Sequence, residues 1–223
     1  MSIQTIGTSD FLNSVIELKQ YQSYLEIGAC KGDTFDAVNI KHKECCDPNK
    51  LIDNLTYHMT SDEMFQQMPA DKKYDLIFID GLHHERFVDR DIINSLKHLN
   101  KGGVIVCHDV LPWYAGLAKK TFSGLWFGDT YKAIIKASGY IKKENMAIAA
   151  FVQFGLCVIK YFEGCDSLVA PVEELPDSIY PEYYNDEVEC DYEFFDLEHL
   201  TPKFKETFNI IEDFEEIQRF LEK

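Results

Sequence analysis

Two strongly apolar runs leave this chain few folds to choose from. They are Tyr74–Ile79, apolar but for Asp75 near its start, and Val104–Cys107, and each stops abruptly at a polar turn, Asp80-Gly81 and His108-Asp109. A strand with consecutive apolar residues has both of its faces covered, the signature of a parallel sheet sandwiched between helices. Between the two runs, Val88, Ile92, Leu96 and Leu99 recur at helical spacing from about Glu85 onward. Lys101-Gly102-Gly103 then offers backbone tolerant of positive φ and is read as the stop of that helix.

The rest of the chain fits the same alternation. Ser9 is placed to cap a first helix carrying Leu12, Val15 and Ile16, and Tyr24–Ile27 reads as a strand. Thr34–Ile40 reads as a helix and Glu44–Cys46 as a weak strand. Leu55–Met59 is predicted as a third strand, followed by a short helix capped by Ser61 or Asp62. Asp129 is expected to cap a helix with Tyr131, Ile134 and Ile135 on one side. Ala147–Val152 and Leu156–Tyr161 read as two strands joined at Gln153-Phe154-Gly155, a link short enough to force them antiparallel. The predicted class is therefore α/β, a doubly wound and mostly parallel sheet.

Charge divides the chain in two. Residues 163–223 hold 19 acidic and 4 basic residues, so they account for nearly all of the net −16. We read residues 1–162 as the main domain. Residues 163–223 read as an acidic extension packed on the core or on a partner subunit, with Pro171, Pro176, Pro181, Tyr180, Tyr183 and Tyr184 along it and an amphipathic helix near Glu212–Leu221. Such a field repels phosphate backbones, so nucleic acid is not an expected partner. Met146–Ile159 is too short to span a bilayer and Met1–Ser9 lacks a signal pattern, so no membrane partner is expected. Seven cysteines without Cys-x-x-Cys spacing read as reduced thiols in a cytoplasmic protein. Homo-oligomer formation is left open.

Ligands of open α/β sheets bind at the carboxyl ends of the strands. Polar and glycine residues recur there: Glu26 and Gly28, Asp47, Ser61-Asp62, Asp80, and His108-Asp109. Gly28 and Gly32 are spaced Gly-x-x-x-Gly, which matches neither the nicotinamide-binding pattern nor a P-loop. Asp47 lies 19 residues beyond Gly28, an offset at which an acid reaches ribose hydroxyls.

The stretch Leu25-Glu26-Ile27-Gly28-Ala29-Cys30-Lys31-Gly32, the acid Asp47 and the run Tyr74–His84 resemble the class I S-adenosylmethionine (SAM) dependent methyltransferases. Within that class the chain is similar to bacterial small-molecule enzymes, including metal-dependent sugar O-methyltransferases. The resemblance implies a seven-stranded Rossmann-like sheet with its last strand antiparallel. It implies that Glu26, Gly28, Ala29 and Gly32 wrap the methionine part of SAM, that Asp47 holds the ribose, and that Ser61, Asp62 and Asp80 complete the cofactor site, Asp62 at the adenine amino group. It also implies that Asp80, His108 and Asp109 bind magnesium or another divalent metal and that His83, next to Asp80, removes the acceptor proton. His108 stands where that family usually has an acid, which favours a softer metal or none. The expected reaction is methyl transfer to a hydroxyl, less readily an amine, of a small molecule such as a sugar. The rival expectations are a SAM-fold binding or scaffold protein without turnover and a nicotinamide-dependent oxidoreductase. Trp113-Tyr114 and Trp126–Asp129 are expected either to stack on the acceptor or to pack into the core.

Overall fold

The computed structural model describes residues 6–112, 126–169, 195–196, 199–200 and 202–223. The Trp113-Tyr114 pair and the proline- and tyrosine-rich stretch of the tail lie outside the described residues.

The chain opens with α1 (Thr8–Lys19), which buries Phe11, Leu12, Val15 and Ile16 along one face. Gly7, not Ser9, stands at its N-cap. Then follow β1 (Ser23–Ile27), α2 (Asp33–Ala37), β2 (His42–Cys46), α3 (Ser61–Gln67), β3 (Tyr74–Ile79), α4 (Glu85–Lys97) and β4 (Leu99–Cys107). Next come α5 (Thr130–Ala137), β5 (Met146–Ala149) and β6 (Leu156–Lys160). In the tail, β7 (Phe195–Asp196) and β8 (His199–Leu200) form a small antiparallel ladder. They precede α6 (Pro202–Thr207), β9 (Asn209–Ile211) and α7 (Phe214–Glu222).

Seven strands form one sheet in the order β2-β1-β3-β4-β6-β5-β9. β6 alone runs antiparallel to its neighbours β4 and β5. Successive residues of a strand point to opposite faces, and here both faces are filled. Leu76, Phe78, Val104 and Val106 pack with α1, α2 and α7, while Ile77, Ile79, Ile105 and Cys107 pack with α3, α4 and α5. That double cover explains the consecutive apolar residues Leu76–Ile79 and Val104–Cys107.

β2 is polar because it is an edge strand with specific work for its charges. Lys43 Nζ donates to the carbonyls of Phe35 (2.6 Å) and Val38 (3.0 Å), closing the C-terminus of α2. Glu44 Oε1 accepts from Lys72 at 2.7 Å.

Further boundaries differ from the sequence reading. Leu55–Met59 forms no strand; Tyr57 alone makes an isolated bridge to Cys46. Polar side chains compete with the ladder there: Thr56 Oγ1 accepts from the Cys45 amide at 3.3 Å. The seventh strand comes instead from the tail, where β9 pairs with β5 in parallel register from Ala147 with Asn209 to Ala149 with Ile211. α3 is capped by Thr60, which exchanges a capping box with Glu63. Lys101-Gly102-Gly103 lies inside β4, since α4 already stops at Lys97. Among the described residues no helix is long and apolar enough to cross a membrane.

Candidate functional site

The sheet register brings the strand ends level. Ile27 pairs with Cys46 on one side and with Ile79 on the other, and Ile79 pairs with Cys107. The residues that follow, Gly28, Asp47, Asp80 and His108, therefore stand in a row along one edge.

The first bend is shaped by backbone contacts. Gly28 has φ +90° and donates to the Cys46 carbonyl at 2.8 Å. A Cβ there would lie 2.1 Å from the Asp80 carbonyl oxygen. The bend closes at Gly32, whose amide donates to the Ala29 carbonyl at 2.7 Å. Asp47, buried at the end of β2, holds it from the side: its Oδ2 accepts from the Cys30 amide at 2.8 Å and its Oδ1 from the Asn49 amide at 2.7 Å.

Beneath the bend, Glu26 is buried and its Oε2 accepts from the Tyr24 hydroxyl at 2.5 Å. Burial pushes its carboxyl up to about 8, against the opposing pull of the Tyr24 hydrogen bond. A carboxyl raised in the folded state stabilises the fold fully below its unfolded value and loses that contribution as pH rises through the folded value. Glu26→Gln is therefore expected to flatten the fall in melting temperature between pH 5 and pH 8.5. The wild type should lose about 1 kcal/mol or more per pH unit from this group over part of that range. Differential scanning fluorimetry of the two proteins across that range checks this.

Ser61 and Asp62 begin α3. The Asp62 carboxylate is engaged by Arg90, whose Nη2 and Nε lie 2.7 and 3.2 Å from its two oxygens. Arg90 is itself buried, with its guanidinium 4.7 Å from the Phe87 ring centroid.

At the other end of the row sits a compact acid–histidine cluster. Asp80 Oδ1 is 3.1 Å from both His83 Nε2 and His108 Nδ1. Asp109 faces the same two rings, Oδ2 at 3.3 Å from His83 Nδ1 and Oδ1 at 3.1 Å from His108 Nδ1. Burial alone would depress the His108 imidazole, but Asp80 and Asp109 outweigh it and push it up to about 10. His83 is raised for the same reason, Asp80 outweighing burial. Burial would raise Asp80, yet His108 and His83 hold it well below the usual carboxylate range.

One ligand atom each from Asp80, His83 and Asp109 lies within 4.8 Å of the others, a spacing that suits a metal ion. His108 is outside that trio. Its Nδ1 faces both carboxylates, and its Nε2 is 3.1 Å from Thr8 Oγ1 at the start of α1. Carboxylate oxygens with an imidazole nitrogen make a mixed donor set that fits a divalent cation.

The segment Trp126–Asp129 grips His83. The Trp126 carbonyl lies 3.1 Å from His83 Nδ1, and its ring stacks on the imidazole at 5.0 Å and 20°. The Asp129 amide donates to the His83 carbonyl at 3.1 Å. Asp129 is buried, and its Oδ1 accepts from the Glu85 amide at 2.6 Å. It thus caps α4; α5, which it precedes, receives no hydrogen bond from its side chain. Asp129→Ala is expected to cost about 1 kcal/mol, a typical cap value, measurable by urea denaturation. The aromatic signal at Trp126 was visible in the sequence, but its contact with His83 spans 43 residues and was not.

A family model described as a methyltransferase domain matches residues 33–110, which include Asp47, Asp80, His83, His108 and Asp109. Solved structures match over most of the chain. An O-methyltransferase from Bacillus cereus in complex with S-adenosylhomocysteine (SAH) aligns with a TM-score of 0.52 and 13% identity, over 69% of this chain and 80% of that one. A protein from Corynebacterium glutamicum aligns with a TM-score of 0.52 and 15% identity, over 70% of this chain and 81% of that one. No curated protein sequence matches.

Proposed function

We propose that this chain, which has the fold and carries the domain of the class I SAM-dependent methyltransferases, moves the methyl group of SAM to a hydroxyl of a small molecule. The observation that carries this reading is the level row of strand ends, with a glycine bend at one end and an acid–histidine cluster at the other. Methyl transfer needs little more than a gripped sulfonium and an acceptor oxygen held in line with it.

In this reading Gly28, Ala29 and Gly32 wrap the methionine part. Glu26 supports its positive end: a cation laid above a buried carboxyl favours the ionised form. Asp47 accepts from the ribose hydroxyls, in place of one of the amides it now binds, and Ser61 lies toward the base. Asp80 links the cofactor end to the acceptor end.

At the acceptor end Asp80 and Asp109, with His108, whose Nδ1 faces both carboxylates, would hold a divalent ion. Such an ion, when bound, lowers the pKa of a coordinated hydroxyl. His83 takes the acceptor proton at Nε2, the nitrogen that faces Asp80, while the Trp126 carbonyl accepts from Nδ1–H and fixes the ring. The acceptor class is a hydroxylated metabolite, with sugars among the candidates, and the protein works without nucleic acid or membrane. We place it in the cytoplasm, and assign residues 163–223 to an acidic extension of the catalytic unit.

The test is SAH formation from SAM with a panel of sugars, phenols and hydroxy acids, with and without added magnesium or manganese. His83→Gln is expected to lower turnover by about 100-fold or more while SAH affinity stays close to wild type. SAH binding without turnover on any acceptor would instead favour a binding or scaffold role.

A further inference from the structure

We propose that Thr8, at the start of α1, is a positioning residue for the acid–histidine cluster: its hydroxyl fixes the His108 ring with Nδ1 turned toward the cation held by Asp80 and Asp109. This rests on the metal-assisted reading above. It adds to that site a residue from outside the segment that matches the methyltransferase model, residues 33–110.

An imidazole offers a cation one nitrogen, and the hydrogen bond made by the other nitrogen decides which. His108 divides its two nitrogens cleanly. Nδ1 stands 3.1 Å from Asp80 Oδ1 and 3.1 Å from Asp109 Oδ1. Ligand atoms about 2.1 Å from an octahedral divalent ion stand about 3 Å from their neighbours, so both spacings suit donors that share one ion. Nε2 points the other way and is 3.1 Å from Thr8 Oγ1. With the Nδ1 lone pair given to a cation, the ring proton sits on Nε2, and the Thr8 oxygen accepts from it.

Both partners are held on stiff mounts. The His108 ring packs edge-to-face against Phe78 and Phe154, with centroids 5.8 Å away in each case. Thr8 is anchored on both sides. Before it, the Ile6 amide donates to the Phe151 carbonyl at 3.2 Å, and the Ile6 carbonyl accepts from the Gln153 amide at 3.0 Å. After it, Phe11 and Leu12 of α1 are fully buried. The stretch that ties down the backbone ahead of Thr8 thus leads directly into Phe154, which packs on the ring. Threonine is β-branched, so few rotamers are open to its hydroxyl.

The His108 side chain is only 12% exposed, so water is a poor substitute for that hydroxyl. A largely buried N–H that loses its acceptor is costly, and the ring would turn or exchange its tautomer to escape the cost. Outer partners of metal-bound histidines change metal affinity by about 10–100-fold for this reason.

The test titrates Mn2+ into the full-length protein by calorimetry and then titrates SAH into the same variants. Thr8→Val keeps the shape of the side chain and removes the hydroxyl. It is expected to weaken Mn2+ binding by about tenfold or more, with SAH affinity within a few-fold of wild type. Thr8→Ser restores the oxygen and should bind Mn2+ within a few-fold of wild type. Three outcomes overturn the proposal: unchanged Mn2+ affinity in Thr8→Val, the same loss in Thr8→Ser, or equal weakening of Mn2+ and SAH by Thr8→Val. Should Thr8→Val fail to fold, Thr8→Ala carries the same comparison with Thr8→Ser. Absence of Mn2+ binding by wild type, with or without SAH, would instead reject the metal-assisted reading itself.

Discussion

Gly28→Ala is expected to abolish SAH binding, with affinity falling by more than about 100-fold, and to destabilise the fold by about 3 kcal/mol or more. Two costs combine. At φ +90° any L side chain is strained, and the added carbon would sit 2.1 Å from the Asp80 carbonyl oxygen and 2.5 Å from Gly81 Cα. Both neighbours are backbone, so neither can swing aside without moving the turn after β3. Gly102→Ala is the control. Its φ is +82°, but nothing lies within 4 Å of the added carbon. It should cost only the left-handed strain, about 1–2 kcal/mol, and leave SAH affinity near wild type. Calorimetry and denaturant unfolding of the two variants separate steric collision from strain.

Gly128→Ala should produce the complementary defect at the acceptor end. Gly128 has φ +57°, and a Cβ there would lie 1.7 Å from the His83 carbonyl oxygen. The segment that stacks Trp126 on His83 would have to lift away. We expect turnover to fall by at least about 100-fold, the scale of effect for a displaced proton acceptor, with SAH affinity changed only a few-fold. Rates of SAH formation and calorimetric affinities on the same protein measure both quantities. Equal loss of binding and turnover would mean that Trp126–Asp129 supports the cofactor end as well.

The fold was legible where the physics is local. The double burial of Tyr74–Ile79 and Val104–Cys107 wrote itself into strongly apolar runs, broken only by Asp75, and the glycine bend after β1 announced itself by spacing. The level row of strand ends followed from parallel pairing. What stayed hidden depends on contacts between distant residues. β9 has only three residues, and β-pairing across 62 positions leaves no mark in Asn209–Ile211 itself. Asp129 looked like the cap of its own helix, and its carboxylate in fact reaches the start of α4. The pairing of Asp62 with Arg90 left no mark because the two stand 28 residues apart in sequence. His108 was read as one metal-facing residue among several, whereas its Nε2 is also 3.1 Å from Thr8 at the start of α1.

Titrating SAH into the purified wild-type protein in a calorimeter probes the central claim without knowledge of the acceptor. The account predicts one molecule bound per chain, with an affinity that weakens when Asp47 is replaced by alanine. Silence in the calorimeter up to millimolar SAH, together with an unmoved melting temperature, would contradict it.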